Sequence, residues 1–413
     1  MLMFNLFHQG RCRMKRLSVF LLMYLGCQGS ANALELFDDF QIHGFISQGY
    51  FLTSANRVFG SSDRGGSLDF TEAGLNGSWR PHPDWQIASQ VLFRRAGAGH
   101  DKEVSLDFGL IDYTPFSSVD YRIGLRLGRF KNPIGFYNET RDVAFTRPSI
   151  LLPQSIYPDY TRNLSLSGDG GLIYGEYRSP WGSLLLEFGL GFPRSDNTET
   201  KIALLGLGNQ GKTTSELSYI GRLSYELDEG RLRLAITGAH ARTGYRPQSN
   251  SPGEFGSGAD VFEPVIFSAQ YNAERWSLTS EYALRSIQDK GFGVIDGITN
   301  GESYYFQGVY RIDSQWEVIG RYDVLYADTS DRDGQKHHEA SMASKLAFTT
   351  PAHSLFAKDL TFGVRYNVNS SFMLAAEYHN VNGTGWLSLQ DNPDVSKLKQ
   401  HWDMFSLLAS FRF

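Results

Sequence analysis

The chain has 413 residues and carries a formal net charge of −5. This acidic balance argues against a nucleic-acid-binding protein, which needs a basic face. The mean hydropathy is negative, but it does not exclude a membrane barrel, because barrel strands alternate lipid-facing and lumen-facing residues and average out near neutral.

The first residues have the pattern of a secretory signal peptide. A basic segment precedes an apolar run over 17–25, and Ala31 and Ala33 provide a small-residue cleavage site. The apolar run is too short for a membrane-spanning helix, which needs about 20 residues. We predict a leader over 1–33, with translation starting at Met1 or Met14, and a single exported domain over 34–413. The basic residues of the leader are Arg11, Arg13, Lys15 and Arg16.

Both cysteines, Cys12 and Cys27, lie in this leader. A lipoprotein anchor at Cys27 is an alternative, although Tyr24, Leu25 and Gly26 before it match that signal poorly. The mature chain therefore has no thiols and no disulfide framework, despite its oxidising destination. Without the four basic leader residues, 35 basic residues oppose 44 acidic ones, a net charge of −9.

From Phe40 onward, apolar residues recur with period two. Leu217, Tyr219 and Leu223, for example, share one face, whereas Ser218 and Arg222 share the other. Since no comparable stripe of period 3.6 appears, we predict that nearly all of the mature chain is strand. Sixteen strands are predicted, near 40–53, 68–80, 84–95, 102–114, 119–131, 169–178, 182–192, 215–227, 230–242, 260–272, 275–287, 302–312, 315–327, 357–368, 371–382 and 401–413.

The connections between these strands alternate between short and long. Short turns such as 80–83 and 179–180 alternate with long connections such as those after Lys131 and Asp328. This asymmetry is typical of bacterial outer-membrane barrels, which have short periplasmic turns, long outer loops and an even strand number. The fold class predicted is therefore all-β: a transmembrane antiparallel β-barrel of sixteen strands. A soluble sandwich or propeller gives no reason for the alternation.

Aromatic residues support the same fold. Tryptophans cluster at the short turns, as in the aromatic girdle of a membrane barrel, whereas ordinary core tryptophans would have no reason to gather at one end. The last strand, 401–413, alternates aromatics up to Phe413 and resembles the strand that outer-membrane barrels present to their insertion machinery. We therefore expect contact with that machinery and with outer-membrane lipid and lipopolysaccharide. The clustered tryptophans are Trp79, Trp85, Trp181, Trp276 and Trp316.

One segment, 132–167, has no strand pattern. It is rich in proline, aromatics and charges of both signs, and structureless loops beyond about 12–15 residues usually carry function or are disordered. This one is too apolar for a solvated tail, so we predict that it folds inward and narrows a pore. Opposite charges across a narrow opening would create a transverse field. The residues predicted to form the constriction are Glu139, Arg141, Asp142, Arg147, Asp159 and Arg162.

Strand parity also predicts which charges face the lumen. A charged residue on the lipid face costs about 2–4 kcal/mol at mid-bilayer, and rings of charge set ion preference in pores. The alternative is that these charges pair with one another and brace the wall. The predicted lumen wall comprises Arg122, Arg126, Arg222, Arg321 and Arg365. The same parity predicts that further charged residues face the lumen, namely Arg94, Arg233, Arg285, Asp120, Glu176, Glu187, Glu226, Glu281, Glu317, Asp323 and Glu377.

The junction at 128–135, with the sequence GRFKNPIG, resembles that of the phosphate-selective family of Gram-negative outer-membrane porins. The resemblance implies a homotrimeric passive diffusion channel for small hydrophilic solutes or ions, with the loop after the fifth strand bent into the pore. It implies no covalent chemistry and no cofactor. That family selects anions such as phosphate with basic residues, several of them lysines, whereas the loop of this chain is charge-balanced.

Two sequence motifs resemble other kinds of site, a nucleotide-binding loop and a calcium-binding loop. Residues 206–213, GLGNQGKT, satisfy a nucleotide-binding pattern, but such a site needs a strand before it and a helix after it. An alternating strand follows this motif, so a glycine-rich outer loop is predicted. In the stretch 328–339, Asp331 and Asp333 resemble part of a calcium loop, but the position of the bidentate glutamate is Ala340. A solvated loop is the better interpretation, with loose divalent-cation contact as the alternative.

Two other function classes remain open. A membrane-embedded barrel hydrolase would need a cluster of Ser, His and Asp at the outer rim, where His240 and His353 are the candidate histidines. A receptor or adhesin would need larger outer loops or a plug, and 34–39 is too short for one. Channel conductance separates both from a porin.

Overall fold

The computed structural model describes residues 34–37, 39–248, 255–293, 295–343 and 349–413, with only the backbone of 34–37 and 101–103. The predicted leader 1–33 lies outside these residues. The strands of the described part are β1 (Leu34–Phe37), β2 (Phe40–Thr53), β3 (Ser67–His82), β4 (Trp85–Ala96), β5 (His100–Ser117), β6 (Tyr121–Lys131), β7 (Ser167–Ser179), β8 (Gly182–Pro193), β9 (Gly211–Ser215), β10 (Ser218–Leu227), β11 (Leu232–Pro247), β12 (Gly258–Asn272), β13 (Trp276–Lys290), β14 (Gly297–Arg311), β15 (Trp316–Tyr326), β16 (Phe356–Asn367), β17 (Phe372–Gly383) and β18 (His401–Arg412). Short α-helices cover Arg162–Leu166, Thr198–Leu205 and Gln335–Ala343.

Sixteen of these strands close into one antiparallel barrel. Each strand from β2 to β8 and from β10 to β18 pairs with its neighbours, β8 pairs directly with β10, and β18 pairs back with β2. The predicted fold, a sixteen-stranded antiparallel barrel, is therefore confirmed. The two remaining strands are short additions. β1 pairs with the start of β2, and β9 extends the edge of β10 along β11.

Alternation of side chains gives the barrel an apolar outside and a polar inside. In β8, Leu186, Phe188 and Leu190 are exposed on the outer face, whereas Glu187 between them is buried. All five tryptophans of the predicted girdle are exposed and lie at the short-turn end. Two of them, Trp85 and Trp316, stack on tyrosines of the neighbouring strand. The outer surface thus has the apolar band and the aromatic belt of a barrel in a lipid bilayer.

The first and last barrel strands join in a regular ladder. The backbones of Gly44 and Phe413 exchange hydrogen bonds of 3.1 and 3.0 Å. Inside the barrel, the hydroxyls of Ser47 and Ser410 are 2.8 Å apart. The barrel therefore has no open edge along this seam.

The structure differs from the sequence-based prediction mainly at the long-loop end. β11 continues to Pro247 and β14 already begins at Gly297, because their hairpins extend as ladders beyond the apolar band, where no apolar alternation is required. β1, β9 and the helix Thr198–Leu205 were not predicted. Asp120, expected to face inward, instead lies exposed in the turn between β5 and β6. Among the described residues, no helix is long and apolar enough to cross a membrane.

Candidate functional site

The long connection between β6 and β7, 132–166, is fastened to widely separated strands of the inner wall. Near its start, Arg222 of β10 donates to the Gly135 carbonyl at 3.1 Å. Farther along, the backbone N–H of Ile150 donates to Glu377 of β17 at 2.6 Å. The segment therefore crosses the barrel interior between opposite walls. We call it the inner loop.

One attachment centres on Glu281 of β13, which is fully buried. Its carboxylate accepts hydrogen bonds from the hydroxyls of Tyr157 at 2.6 Å and Tyr305 at 2.9 Å, and from the N–H of Phe136 at 3.0 Å. Burial and the neighbouring Glu281 carboxylate raise the pKa of Tyr157 well above its usual value, so its hydroxyl stays protonated and donates.

Gly135 lets the inner loop approach this attachment closely. It has φ +53°, and a Cβ built on it would lie 2.3 Å from the Tyr157 hydroxyl and 2.5 Å from Glu281 Oε1. Only glycine adopts this left-handed conformation readily and leaves the space free. The tight turn therefore depends on the absence of a side chain.

A second attachment lies on β15 to β17. Arg321 donates to the Ser149 hydroxyl at 3.0 Å and to the Leu151 carbonyl at 2.8 Å. Arg365 donates to the carbonyls of Ala144 and Arg147. These two strand arginines bind backbone oxygens of the inner loop, so they position the loop.

Two other outer connections cover this side of the barrel. Phe59, from 54–66, and Trp386, from 384–400, belong to the same buried hydrophobic cluster as Ile150 and Leu151 of the inner loop. Trp386 also contacts Trp402 of β18, with ring centroids 5.4 Å apart. The outer end of the barrel is therefore packed with side chains near β2 and β16–β18.

The third attachment is a network of buried charges between the inner loop and the wall formed by β3 to β6. Glu72 of β3 is fully buried and lies 3.0 Å from Arg94, 3.4 Å from Arg147 and 3.7 Å from Arg162. We call this network the charge cluster. Its members are Glu72, Arg94, Asp107, Lys131, Arg141, Asp142, Arg147, Asp159 and Arg162.

Within the charge cluster, acids and bases share partners. Arg94 binds Asp159 at 2.7 Å, and Lys131 lies between Asp107, at 2.6 Å, and Asp142. Asp142 also forms an ion pair with Arg162. Since an isolated buried charge is very costly, such sharing is what permits so many charges to be enclosed together.

The pKa values of inner-loop residues reflect their burial among other charges. Burial raises the pKa of the Asp159 carboxyl, but Arg94 and Arg141 outweigh that effect, so the pKa lies below its ordinary value. For Arg141, burial dominates over the attraction of Asp159 and lowers the pKa to about 10. At neutral pH both groups are therefore charged and held as a pair.

The residues predicted to form the constriction are placed unequally. Arg141, Asp142, Arg147 and Arg162 are all at most 5% exposed, enclosed between the inner loop and the wall. Asp159 joins them in the charge cluster. Glu139 is different, because its side chain is 31% exposed and binds Arg222 at 2.7 Å. Of the six, Glu139 has the most exposed side chain.

The predicted lumen-wall arginines divide into two groups. Arg222, Arg321 and Arg365 bind the inner loop. Arg122 and Arg126 remain partly exposed, paired with Glu176 at 3.3 Å and Asp112 at 3.0 Å. Arg233 is also partly exposed. Arg122, Arg126 and Arg233 thus leave exposed positive charge on the walls formed by β6 and β11.

Arg233 and Arg222 face the start of the inner loop. Arg233 binds Glu226 at 2.7 Å, and its guanidinium lies 4.9 Å from the ring centre of Phe136. Arg222 bridges Glu187 at 2.6 Å and Glu139. This part of the interior therefore combines accessible charges with one edge of the inner loop.

Toward the long loops, a cavity of about 390 Å³ lies between the inner loop, the helix Thr198–Leu205 and the walls formed by β7, β8 and β10 to β15. We call it the outer cavity. Its floor consists of apolar side chains. Its charged lining residues include Asp260, Arg285 and Asp289. The floor residues are Phe130, Ile134, Ile156, Ile220 and Ile266.

Strand parity predicts an inward-facing Arg285, whereas Asp260 and Asp289 were not predicted. Parity places Asp260 on the inner face of β12, together with Phe262, Pro264 and Ile266. An aspartate at the end of an apolar inner face was the available signal. The apolar residues of β12 indicate a strand without it, so the strand pattern alone does not predict a site there.

The two motifs that suggested other chemistry have structural roles. In the glycine-rich motif, the helix Thr198–Leu205 precedes the glycines and β9 follows them, which is the reverse of a phosphate-binding loop. Asp331 accepts hydrogen bonds from the N–H groups of Lys336 and His337 at the start of the helix Gln335–Ala343. In the described parts of the chain, no group of three or more residues could hold a metal ion.

The two candidate rim histidines lie apart. His240 is stacked on Tyr219 and lies 2.8 Å from Glu263. His353 lies 3.1 Å from the Thr384 hydroxyl, and burial lowers its pKa. Neither pair provides the serine, histidine and acid arrangement of a hydrolase.

Neither a protein-family model nor a curated protein sequence matches the chain. Solved structures do resemble it. The outer membrane channel DcaP of Acinetobacter baumannii is 10% identical, with 93% of this chain and 100% of that chain covered and a TM-score of 0.55. The anion-selective porin from Comamonas acidovorans is 12% identical, with 90% and 98% covered and a TM-score of 0.54. A trimer form of OmpT, an outer membrane protein of Vibrio cholerae, is 11% identical, with 91% and 99% covered and a TM-score of 0.54. The chain thus shares the fold of Gram-negative outer-membrane porins and channels.

Proposed function

We propose that the chain is an outer-membrane porin, a passive diffusion channel for small hydrophilic solutes or ions, with anions such as phosphate among them. The observation that carries this proposal is the closed sixteen-stranded barrel with an apolar outside and exposed charges on its inner wall. Barrels of sixteen strands are wide enough to leave an aqueous channel. Charges that remain accessible inside such a barrel set ion preference.

The same fold supports the proposed location, and the proposed assembly rests on the resemblance to porins. The apolar outer band and tryptophan belt suit a Gram-negative outer membrane, reached through a signal peptide over 1–33 and the insertion machinery that binds the last strand. Contact with lipopolysaccharide would occur at the long-loop end. A homotrimer is the assembly implied by the sequence resemblance, and one structural relative is described as a trimer.

We place the narrowest part of the route beside the start of the inner loop. Glu139 and Phe136, which contact Arg222 and Arg233, would form one continuous charged edge of it together with Arg126. In this proposal, Arg141, Asp142, Arg147, Asp159 and Arg162 hold the inner loop in place and have little contact with solutes. Arg122 would line the wider part of the lumen.

The barrel-hydrolase alternative is less well supported. His240 is paired with Glu263, on the outward-facing parity of β11 and β12, and the partner of His353 is a threonine. The receptor alternative would need a plug, and the inner loop fills only part of the interior. The described residues therefore favour a channel.

Planar-bilayer recordings test this function. We expect stepwise openings, in groups of three for a trimer. In a salt gradient, Arg233→Gln should shift the reversal potential toward cation selectivity, because an accessible positive charge is lost. The control is Arg95→Gln, which removes an arginine paired with Asp69 on the outward-facing parity of β4 and should leave the reversal potential unchanged.

The variant Arg147→Gln tests whether the enclosed arginines differ in role from the exposed ones. Because the Arg147 side chain is buried between the inner loop and the wall, we expect its loss to alter the conductance more than the reversal potential. A folded, membrane-inserted barrel that carries no current would contradict the channel. A selectivity change from Arg147→Gln larger than that from Arg233→Gln would contradict the proposed route.

A further inference from the structure

Three successive residue pairs on neighbouring strands line the outer cavity, and each pair has a different chemical character. On the ladder between β12 and β13, Asp260 lies opposite Asp289, then Phe262 opposite Ile287, then Pro264 opposite Arg285. All six residues line the cavity. Moving inward from the long loops, a solute would therefore meet two carboxylates, then an apolar rung, then an arginine.

Among the described residues, the buried Asp260 has only another acid, Asp289, beside its carboxyl group. The residue is only 3% exposed, and its Oδ2 atom is buried without a hydrogen-bond partner. Directly opposite residues of neighbouring strands have Cβ atoms about 4.5–5.5 Å apart, so the Asp289 carboxylate lies close by. Within the described ranges, no basic side chain forms an ion pair with either aspartate.

Arg285 is too distant and too constrained to supply the missing charge. It lies four residues from Asp289 along β13, a separation of about 13 Å. Its guanidinium also donates to the Tyr326 carbonyl at 3.2 Å, on the side away from β12. The aspartate pair, which lines the outer cavity, therefore has no counter-charge from Arg285.

The rest of the cavity restricts which cation the aspartate pair can bind. Hydrated metal ions are poorly matched, because beyond the two aspartates the adjoining rung and the floor are apolar. A phosphate or sugar phosphate would meet two carboxylates. A volume of about 390 Å³ falls within the range of small-molecule sites, which are mostly apolar with a few placed polar groups.

We propose that the outer cavity binds an organic ammonium ion, whose amino group donates hydrogen bonds to Asp260 and Asp289 and whose apolar body packs against Phe262 and Ile287. Hydrogen bonds between charged groups are the stronger kind, and here they also remove the cost of an unpartnered carboxylate oxygen. The inference names a solute class for the channel and rests on the proposed function only for passage through the barrel.

Calorimetric titration of the detergent-solubilised barrel with 2-phenylethylammonium tests the site. We expect Asp260→Asn to weaken binding at least tenfold, and Asp289→Asn to weaken it by a smaller factor. The control is Asp403→Asn, because Asp403 is a partly exposed carboxylate near the same end of the barrel, bound to Tyr378 and Asn380. It should leave the affinity unchanged.

Two further probes separate charge from shape. 3-Phenylpropionate keeps the ring but reverses the charge, and ethylammonium keeps the charge but lacks the ring. Both should bind at least tenfold more weakly than 2-phenylethylammonium. The inference is overturned if 2-phenylethylammonium does not bind, if 3-phenylpropionate binds equally well, or if both aspartate variants keep the wild-type affinity.

The binding measurement tests the proposed site, and the conduction measurement separately tests the proposed channel. Binding in detergent with no current in bilayers would overturn the channel and keep the site. Current in bilayers with unchanged binding in both aspartate variants would overturn the site and keep the channel. If Asp260→Asn does not fold, as judged by circular dichroism, Asp289→Asn alone decides, because its side chain is only partly buried.

Discussion

The two sides of the barrel interior are built on opposite principles. On the side of β3 to β6, the inner loop is held by the charge cluster, and its acids and bases are enclosed together. On the side of β10 to β14, the same loop leaves the outer cavity, with a mainly apolar lining. One side is thus filled with paired charges, and the other is open, with a few charges among mainly apolar residues.

The number of charged residues inside the barrel therefore differs from the number that a solute could contact. Most of the inner loop's charges lie in the filled side, where they bind each other and the wall. Solutes would meet fewer charges, such as Arg233 and Glu139 beside the loop and Asp260 in the cavity. The charges that define a pore's selectivity are therefore a small subset of those that point into the barrel.

Removing the central acid of the charge cluster should have the largest effect. Glu72→Gln leaves Arg94, Arg147 and Arg162 without their common counter-charge, and breaking a buried ion pair costs about 3–5 kcal/mol. We expect that loss in the free energy of unfolding, measured by urea titration in detergent, together with a larger single-channel conductance as the inner loop loosens.

A matched variant tests whether burial is the cause. Glu216→Gln removes an acid paired with Arg242, and both of these side chains are exposed. Such pairs contribute only about 0–1 kcal/mol, so stability should barely change. Equal losses in the two variants would mean that the filled side is not held by its buried charges.

A smaller effect should follow from Gly135→Ala at the Glu281 attachment. Its positive φ costs a side chain about 1–2 kcal/mol, and the new Cβ would also clash with Tyr157 and Glu281. The control is Gly65→Ala, because Gly65 has φ +84° with open space around it. We expect Gly135→Ala to lower the unfolding free energy more than Gly65→Ala, and equal losses would exclude a close contact.

The smallest effect should come from mild acidification. Because the folded pKa of Asp159 lies below its ordinary value of 3.8, its contribution is fully present above that value and is lost only as the pH falls through the folded pKa. The carbon-13 chemical shift of the Asp159 carboxyl group, measured by NMR in detergent, should therefore be the same at pH 8 and pH 5. A change within this range would show that Asp159 is not held as described.

Most of the fold could be predicted because lipid imposes a strict rule on each strand. Leu184, Leu186 and Phe188 face out since the bilayer excludes polar groups, and this alternation is visible in the sequence. The rule ends where the bilayer ends. β9 and the extension of β11 to Pro247 are held by backbone ladders, which almost any sequence can form. The helix Thr198–Leu205 did have a signal, since Asn197 caps it through a hydrogen bond from the Thr200 N–H.

The candidate site was less predictable, because accessibility depends on the path of the inner loop. Parity places Arg94, Arg126 and Arg321 alike on the inner face of the wall. Only the loop decides that Arg94 and Arg321 are covered while Arg126 is partly exposed. The composition of 132–167 showed that it is not a tail, but it could not show which of its charges would be enclosed.

The seam between β2 and β18 has a consequence for how the molecule folds. Ser47 and Ser410 meet although 363 residues separate them along the chain, and joining ends so distant carries a loop-closure entropy on the order of 5 kcal/mol. Folding rates fall as contacts become more non-local, so ring closure should be the slow kinetic step. Until it occurs, both edge strands remain unpaired and prone to aggregate, which makes early protection of the nascent chain a requirement of this architecture.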